Sequence, residues 1–165
     1  MKPLCRLELG VSLVEMMVGL AIVGILDTLA LPAMQNMIAE SRVSAQADQL
    51  VAILNQARAT AIKERRVVTV CPAANANTAA ACSGSAGDWS TGILISDATG
   101  VLHRAQVGQG LVLTSAATAA SFRGTIGSAQ AAVSWTICSP GVRQQQVDVS
   151  LVGRVSKRIN AGVCQ

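Results

Sequence analysis

The stretch that most constrains this chain is LGVSLVEMMVGLAIVGILDTLALPAM, Leu9 to Met34. Between Val11 and Leu31 the only ionisable residues are Glu15 and Asp27. At about 1.5 Å rise per residue this run covers roughly the 30 Å of a bilayer's hydrocarbon core. One helical membrane span is therefore expected over residues 11–31, and the rest of the 165 residues makes one small domain, residues 32–165. A secretory signal would have an apolar core of about 7 to 15 residues followed by a small-residue cleavage site; this run is longer and ends in Ala30-Leu31-Pro32. Lys2 and Arg6 precede it against the single acid Glu8. The positive-inside tendency then places the amino end in the cytoplasm and the domain on the far side of the membrane.

Cysteine usage fits that compartment. With Cys5 in the leading segment, Cys71, Cys82, Cys138 and Cys164 remain, an even number that allows three disulfide pairings in an oxidising space. None of their spacings supplies the close pairs a zinc site uses, and His103 is the only histidine. Neither a metal nor a cofactor is expected.

Past Pro32, Val43, Ala47, Leu50, Leu54, Ala57 and Ala61 recur at steps of three and four. This predicts an amphipathic continuation of the helix to about Arg65, its alanine-rich stripe packed closely on a sheet. Lys63-Glu64-Arg65-Arg66 reads as a solvated helix end favoured by the macrodipole. Six short β-branched segments follow, near 67–71, 92–96, 101–107, 111–115, 133–138 and 147–152, and the Asp97–Gly100 tetrapeptide has the composition of a tight turn. The expected class is α+β, a long amino-terminal helix with a transmembrane half and an amphipathic half, packed on antiparallel β-structure.

The beginning of the chain resembles a type IV prepilin. Gly10-Val11-Ser12-Leu13-Val14-Glu15 is similar to the signature at which a prepilin peptidase cuts after glycine and methylates the new amino terminus, leaving a glutamate at the fifth mature position. The resemblance implies a leader of residues 1–10, with Gly10 and Val11 as the cleavage and methylation site. It gives Glu15 a role in subunit assembly, meeting a neighbouring subunit's amino group; burial of a carboxylate in an apolar environment is costly unless it is paired. Pro32 stands where such helices commonly bend. Asp27 has no counterpart in that pattern and lies roughly 18 Å beyond Glu15 along a helix, close enough to the outer boundary to snorkel.

Further along, Arg66–Gly100, Ser134–Gly141 and Val149–Ile159 are similar to segments of the GspH/FimT-type minor pilins. These are a Cys-Pro strand with a polar loop returning to a second cysteine, a Trp-containing strand before an Asp/Gly turn, a later cysteine strand, and a Gly-Arg closing strand. The pairing expected on these segments is Cys71 with Cys82, across an alanine- and asparagine-rich loop, and Cys138 with Cys164, pinning the tail to the preceding sheet. Fellow pilins, the prepilin peptidase and an inner-membrane assembly platform are the implied partners, and the inner membrane and then the pilus tip are the implied locations.

No catalytic arrangement is visible: His103 stands beside Arg104 with no nucleophile tied to it, and Gly108-Gln109-Gly110 lacks the context of a nucleotide loop. Charge is more informative. After Asp148 the chain contains Arg154, Lys157 and Arg158 and no acid, a local balance that attracts polyanions. FimT-type relatives with a similar tail are implicated in capturing DNA for natural transformation; Ser156 holds the position where their second arginine usually stands. With only Trp89, Phe122 and Trp135 as aromatics, contact with double-stranded DNA would be phosphate-directed and indifferent to sequence. Two functions compete on this reading. One is a minor pilin of the type IV pilus tip with a DNA-binding tail; the other is an H-type minor pseudopilin of a type II secretion system without a DNA role.

Overall fold

A computed structural model describes residues 12–164, side chains included except at 27–33 and 161. Cys5, Gly10 and Val11 lie outside the described residues, as do the side chains of Asp27 and Pro32. The chain divides into a unit ending at Met37 and a unit beginning at Ile38.

A single helix, α1, runs over Leu13–Glu64. Ser12-Leu13-Val14-Glu15 follows the Ser-x-x-Glu pattern of helix starts, and Glu15 sits in the first turn, where a carboxylate faces unsatisfied N–H groups. The other end closes with Arg65 in the left-handed region at φ 52° and the Arg66 N–H donating to the Ala61 carbonyl at 3.3 Å. That six-to-one bond normally accompanies glycine at the left-handed position; here an arginine occupies it.

From Ile38 onward the expected helical stripe is the core. Val43, Ala47, Leu50, Leu54, Ala57 and Ala61 are at most 1% exposed, and Ile53 joins them at 4%. Three alanines on one face leave room for a sheet to approach closely, which raises dispersion contact along the whole seam.

Eight strands follow: β1 (Val68–Pro72), β2 (Ile93–Asp97), β3 (Gly100–Ala105), β4 (Val112–Thr114), β5 (Ala120–Phe122), β6 (Val133–Cys138), β7 (Arg143–Val149) and β8 (Val155–Val163). They form two four-stranded antiparallel sheets, ordered β3-β2-β1-β5 and β4-β6-β7-β8. Strand alternation sends Val68, Val70, Ile93, Ile95 and Phe122 of the first sheet and Leu113, Trp135, Ile137, Val147 and Val149 of the second into one core with α1. The opposite face of the first sheet carries a smaller apolar cluster of Cys71, Ala73 and Leu94.

Two expectations need correction, and one strand was not expected. Trp89 is not on a strand: it is delivered by a short 3-10 turn, Ala86–Ser90, fully buried and edge-on to Trp135 at 5.4 Å between ring centroids. The Asp88 carbonyl accepts from Thr91 and Gly92 N–H, and the Trp89 indole N–H donates to the Ala117 carbonyl at 2.7 Å. The turn is stable because that ring anchors it. Val149–Ile159 is not one closing strand either; β7 stops at Val149, a turn over 150–153 reverses the chain, and β8 starts at Val155. Finally, β5 has no strong sequence signature, because Ala120-Ser121-Phe122 pairs for only three residues with β1.

Candidate functional site

Leu13–Leu26 is exposed along its whole length, with Leu13, Leu20, Ile25 and Met17 at 75, 70, 64 and 63%. Aliphatic side chains on every face of a helix mark a segment that lipid or other helices must cover. Glu15 is exposed among them in the first turn. Among the described residues no helix is long and apolar enough to cross a membrane.

Both disulfides join cysteines of the domain. Cys71 is bonded to Cys82 with Cα atoms 5.6 Å apart, and Cys138 to Cys164 at 5.7 Å. The first closes the polar loop over the outer face of the first sheet, where the Ala73 N–H donates to the Gly92 carbonyl and the Ser83 N–H to the Pro72 carbonyl. The second ties the end of β8 back to β6, and the Cys164 N–H donates to the Val142 carbonyl at 3.1 Å.

The basic tail is not one surface. In the β7–β8 register Val147 opposes Lys157 and Gln146 opposes Arg158. Val147 is fully buried, so Lys157 is on the helix side of the sheet and Arg158 on the outer side. Lys157 Nζ lies 2.6 Å from Asp48 Oδ1 on α1 and donates to Ser44 Oγ at 3.3 Å. An Arg158 guanidinium nitrogen lies 2.9 Å from Asp148 Oδ2. Arg154 alone of the three is exposed with no side-chain partner among the described residues; it borders an open groove of about 590 Å³ with Ser134, Asp148, Ser156 and Arg158. The tail lacks acids in sequence, yet the fold brings two aspartates to it. A reading of residues 149–165 alone misses both: Asp48 is more than a hundred positions away, and Asp148, one position before the stretch, meets Arg158 only through the β7–β8 pairing.

Gly153 sets this geometry. At φ +80° it takes a conformation L side chains rarely adopt, and a Cβ there would lie 2.0 Å from the Gly127 carbonyl oxygen. Its N–H closes the turn on Ser150 O at 2.8 Å, and Ser150 Oγ accepts from the Arg154 N–H at 3.1 Å. The Gly-Arg pair is thus a turn followed by the first residue before β8.

The cluster at the end of α1 also differs from a simply solvated one. An Arg66 guanidinium nitrogen lies 2.9 Å from Asp97 Oδ2, whose side chain is fully covered. Asp97 Oδ1 accepts from the Thr99 hydroxyl and N–H, both at 2.6 Å, and from the Gly100 N–H at 3.2 Å. These hydrogen bonds, the Thr99 hydroxyl first and then its N–H, with Arg66 adding to them, hold the Asp97 carboxyl below its ordinary value against the opposing effect of burial. His103 is exposed on β3, while its neighbour Arg104 donates to the Ala79 carbonyl at 3.2 Å.

Against known proteins, the family profile described as Type II transport protein GspH matches residues 46–153, more than half of the chain. The chain belongs to the GspH family. The matched residues begin in the buried half of α1 and end at Gly153, one position before Arg154. Two crystal forms of the type IV minor pilin FimU from Pseudomonas aeruginosa (strain PAO1) share the fold. One has a TM-score of 0.57 at 18% identity over 74% of this chain and 96% of FimU; the other has 0.54 at 20% over 72% and 98%. A comparison with curated protein sequences returns no match. This GspH-family chain is therefore a minor pilin or pseudopilin in fold and family, a subunit class that works by assembling with other pilins.

Proposed function

We propose that the chain is a minor pilin of a type IV pilus, held in the inner membrane by residues 11–31 until it is added at the filament tip. The observation that carries this is the exposed aliphatic surface of Leu13–Leu26, which a water-soluble domain could not maintain without a covering. Lipid covers it first and neighbouring subunits' helices cover it afterwards. Gly10 is the cleavage site of the prepilin peptidase and Val11 the methylated end. Glu15 is the carboxylate that pairs with a neighbour's amino group, and Pro32, with no N–H to donate, weakens the helix where residues 32–165 begin. An inner-membrane assembly platform takes the subunit from the bilayer. The test is incorporation into sheared filaments: the wild type is present, and Glu15→Leu remains in the membrane fraction. Equal incorporation of the two would overturn the role of Glu15.

The family description favours a second reading, an H-type pseudopilin of a type II secretion system. Deleting the chain separates the two. Loss of surface pili with normal protein secretion supports the first, and the reverse supports the second.

Contact of the tail with DNA would rest on Arg154, because Lys157 and Arg158 already face aspartates. One neutralised phosphate gives a slope of log affinity against log salt near −0.9, where three free cations would give about −2.7. Anisotropy with duplex DNA at several salt concentrations reads this slope, and Arg154→Ala should abolish the interaction. A slope near −2.7 would show that both ion pairs open to DNA.

A further inference from the structure

The domain end where α1 finishes carries a mixed apolar and basic surface that the proposed function does not use. Ile62 on α1, Ile126 in the β5–β6 loop, and Leu151 and Val152 in the β7–β8 turn are 44, 71, 62 and 71% exposed. Three glycines hold these segments together. A Cβ at Gly124 would lie 2.3 Å from the Arg65 carbonyl carbon; one at Gly127 would lie 2.7 Å from Ile62 Cδ1; and one at Gly153 would strike the Gly127 carbonyl. The two loops are therefore seated on the helix end at backbone contact, which makes the surface a fixed one.

Arginines punctuate it. Arg58 is held under both loops, with one guanidinium nitrogen donating to the Val152 carbonyl at 3.4 Å and its buried Nε lacking a partner. Arg65 flanks an adjoining recess of about 480 Å³ with Ile62, Gly124 and Thr125, and Arg123 leads into the same loop. Among the described residues none of these three arginines has a carboxylate within ion-pair distance; the four ion pairs use Arg66, Lys157 and Arg158.

We infer that this surface docks a segment of another chain that presents carboxylates beside aliphatic side chains. Bare phosphates would leave the four aliphatic residues wet, so the composition favours a protein over a nucleic acid; interface centres are rich in arginine set among apolar contacts that exclude water. A second copy of this chain is a poor complement. From Ile38 onward it has 11 basic and 6 acidic residues, and Asp48, Glu64, Asp97 and Asp148 already lie beside cations. The occupant is a different subunit, and the inference rests on the reading that this chain works within an assembly of pilins.

The test places a photo-crosslinking benzoylphenylalanine at Ile126 or Leu151 of the full chain in its native cells, with Met17 as a control site on the exposed amino-terminal helix. A crosslink at Met17 to other pilins upholds the assembly reading; its absence removes that reading and this inference with it. Given that control, the expected product at Ile126 or Leu151 is a peptide of a different subunit with Asp or Glu within a few residues of the crosslinked position. Arg123→Glu, on an exposed side chain, should lower its yield about tenfold, the scale of one lost charge-assisted contact; Arg58→Glu should do the same if the variant folds. A crosslink to a second copy, to DNA or to a segment without carboxylates, no crosslink at either site, or an unchanged yield in Arg123→Glu would each overturn the inference.

Discussion

Lys157 Nζ on β8 lies 2.6 Å from Asp48 Oδ1 on α1, a contact between residues 109 positions apart. It places the last strand of the second sheet on the helix through a residue whose sequence context reads as part of a free basic tail. With Asp48's side chain 62% exposed and Lys157's 28%, screening limits its contribution to about 0.2–1 kcal/mol. Lys157→Ala and Asp48→Ala should each lower the melting temperature by at most about 4 °C. The double variant should lose less than the sum. Strict additivity by calorimetry would show that the pair contributes nothing.

Asp97 supplies the pH dependence. Its carboxyl is depressed in the folded state, so its contribution is fully present above the ordinary aspartate value of about 3.9 and is lost as pH falls through the lower folded value. Stability should therefore be insensitive to this group at neutral pH and should decline below about pH 4. In Asp97→Asn that acid decline should be reduced, and the variant should be less stable than wild type at neutral pH. An identical acid profile in the variant would contradict the assignment.

Gly153 and Gly110 make a matched pair. Both have positive φ, but a Cβ at Gly110 meets nothing within 4 Å while one at Gly153 meets the Gly127 carbonyl at 2.0 Å. Gly110→Ala should cost about 1–2 kcal/mol, the left-handed penalty alone. Gly153→Ala should cost more, because the β7–β8 turn or the loop carrying Gly127 must move. Equal losses in urea unfolding would mean that the two loops are not in contact.

Each disulfide should contribute roughly 2–4 kcal/mol in the chain-entropy account. Cys82→Ser removes a loop closed over a sequence separation of 11, and Cys164→Ser one over 26; both variants should unfold at lower denaturant. Non-reducing peptide mapping that linked Cys71 to Cys138 would refute the pairing.

The helix stripe from Val43 to Ala61 was legible because a 3.6-residue period needs only local sequence, and most strands were legible from their β-branched runs. What escaped depended on distant partners. Trp89 sits in a turn because Trp135 and the Ala117 carbonyl hold it there. β7 begins at Arg143, in Arg-Gln-Gln-Gln, whose polar side chains hide a strand that backbone pairing with β6 and β8 makes plain. The tail's three cations separate because alternation across β8 sends Lys157 and Arg158 to opposite faces, toward Asp48 and Asp148. Those acids become visible only once the strand register is known.

The measurement that tests the account most directly is the intact mass of this chain recovered from sheared filaments. Assembly as a pilin-type subunit after cleavage at Gly10 predicts a species beginning at Val11, four hydrogens lighter than its fully reduced form and heavier by the one CH2 that a methyl group on its amino terminus adds. Absence of the chain from filaments that carry the other subunits, or its presence there with residues 1–10 still attached, would contradict the account.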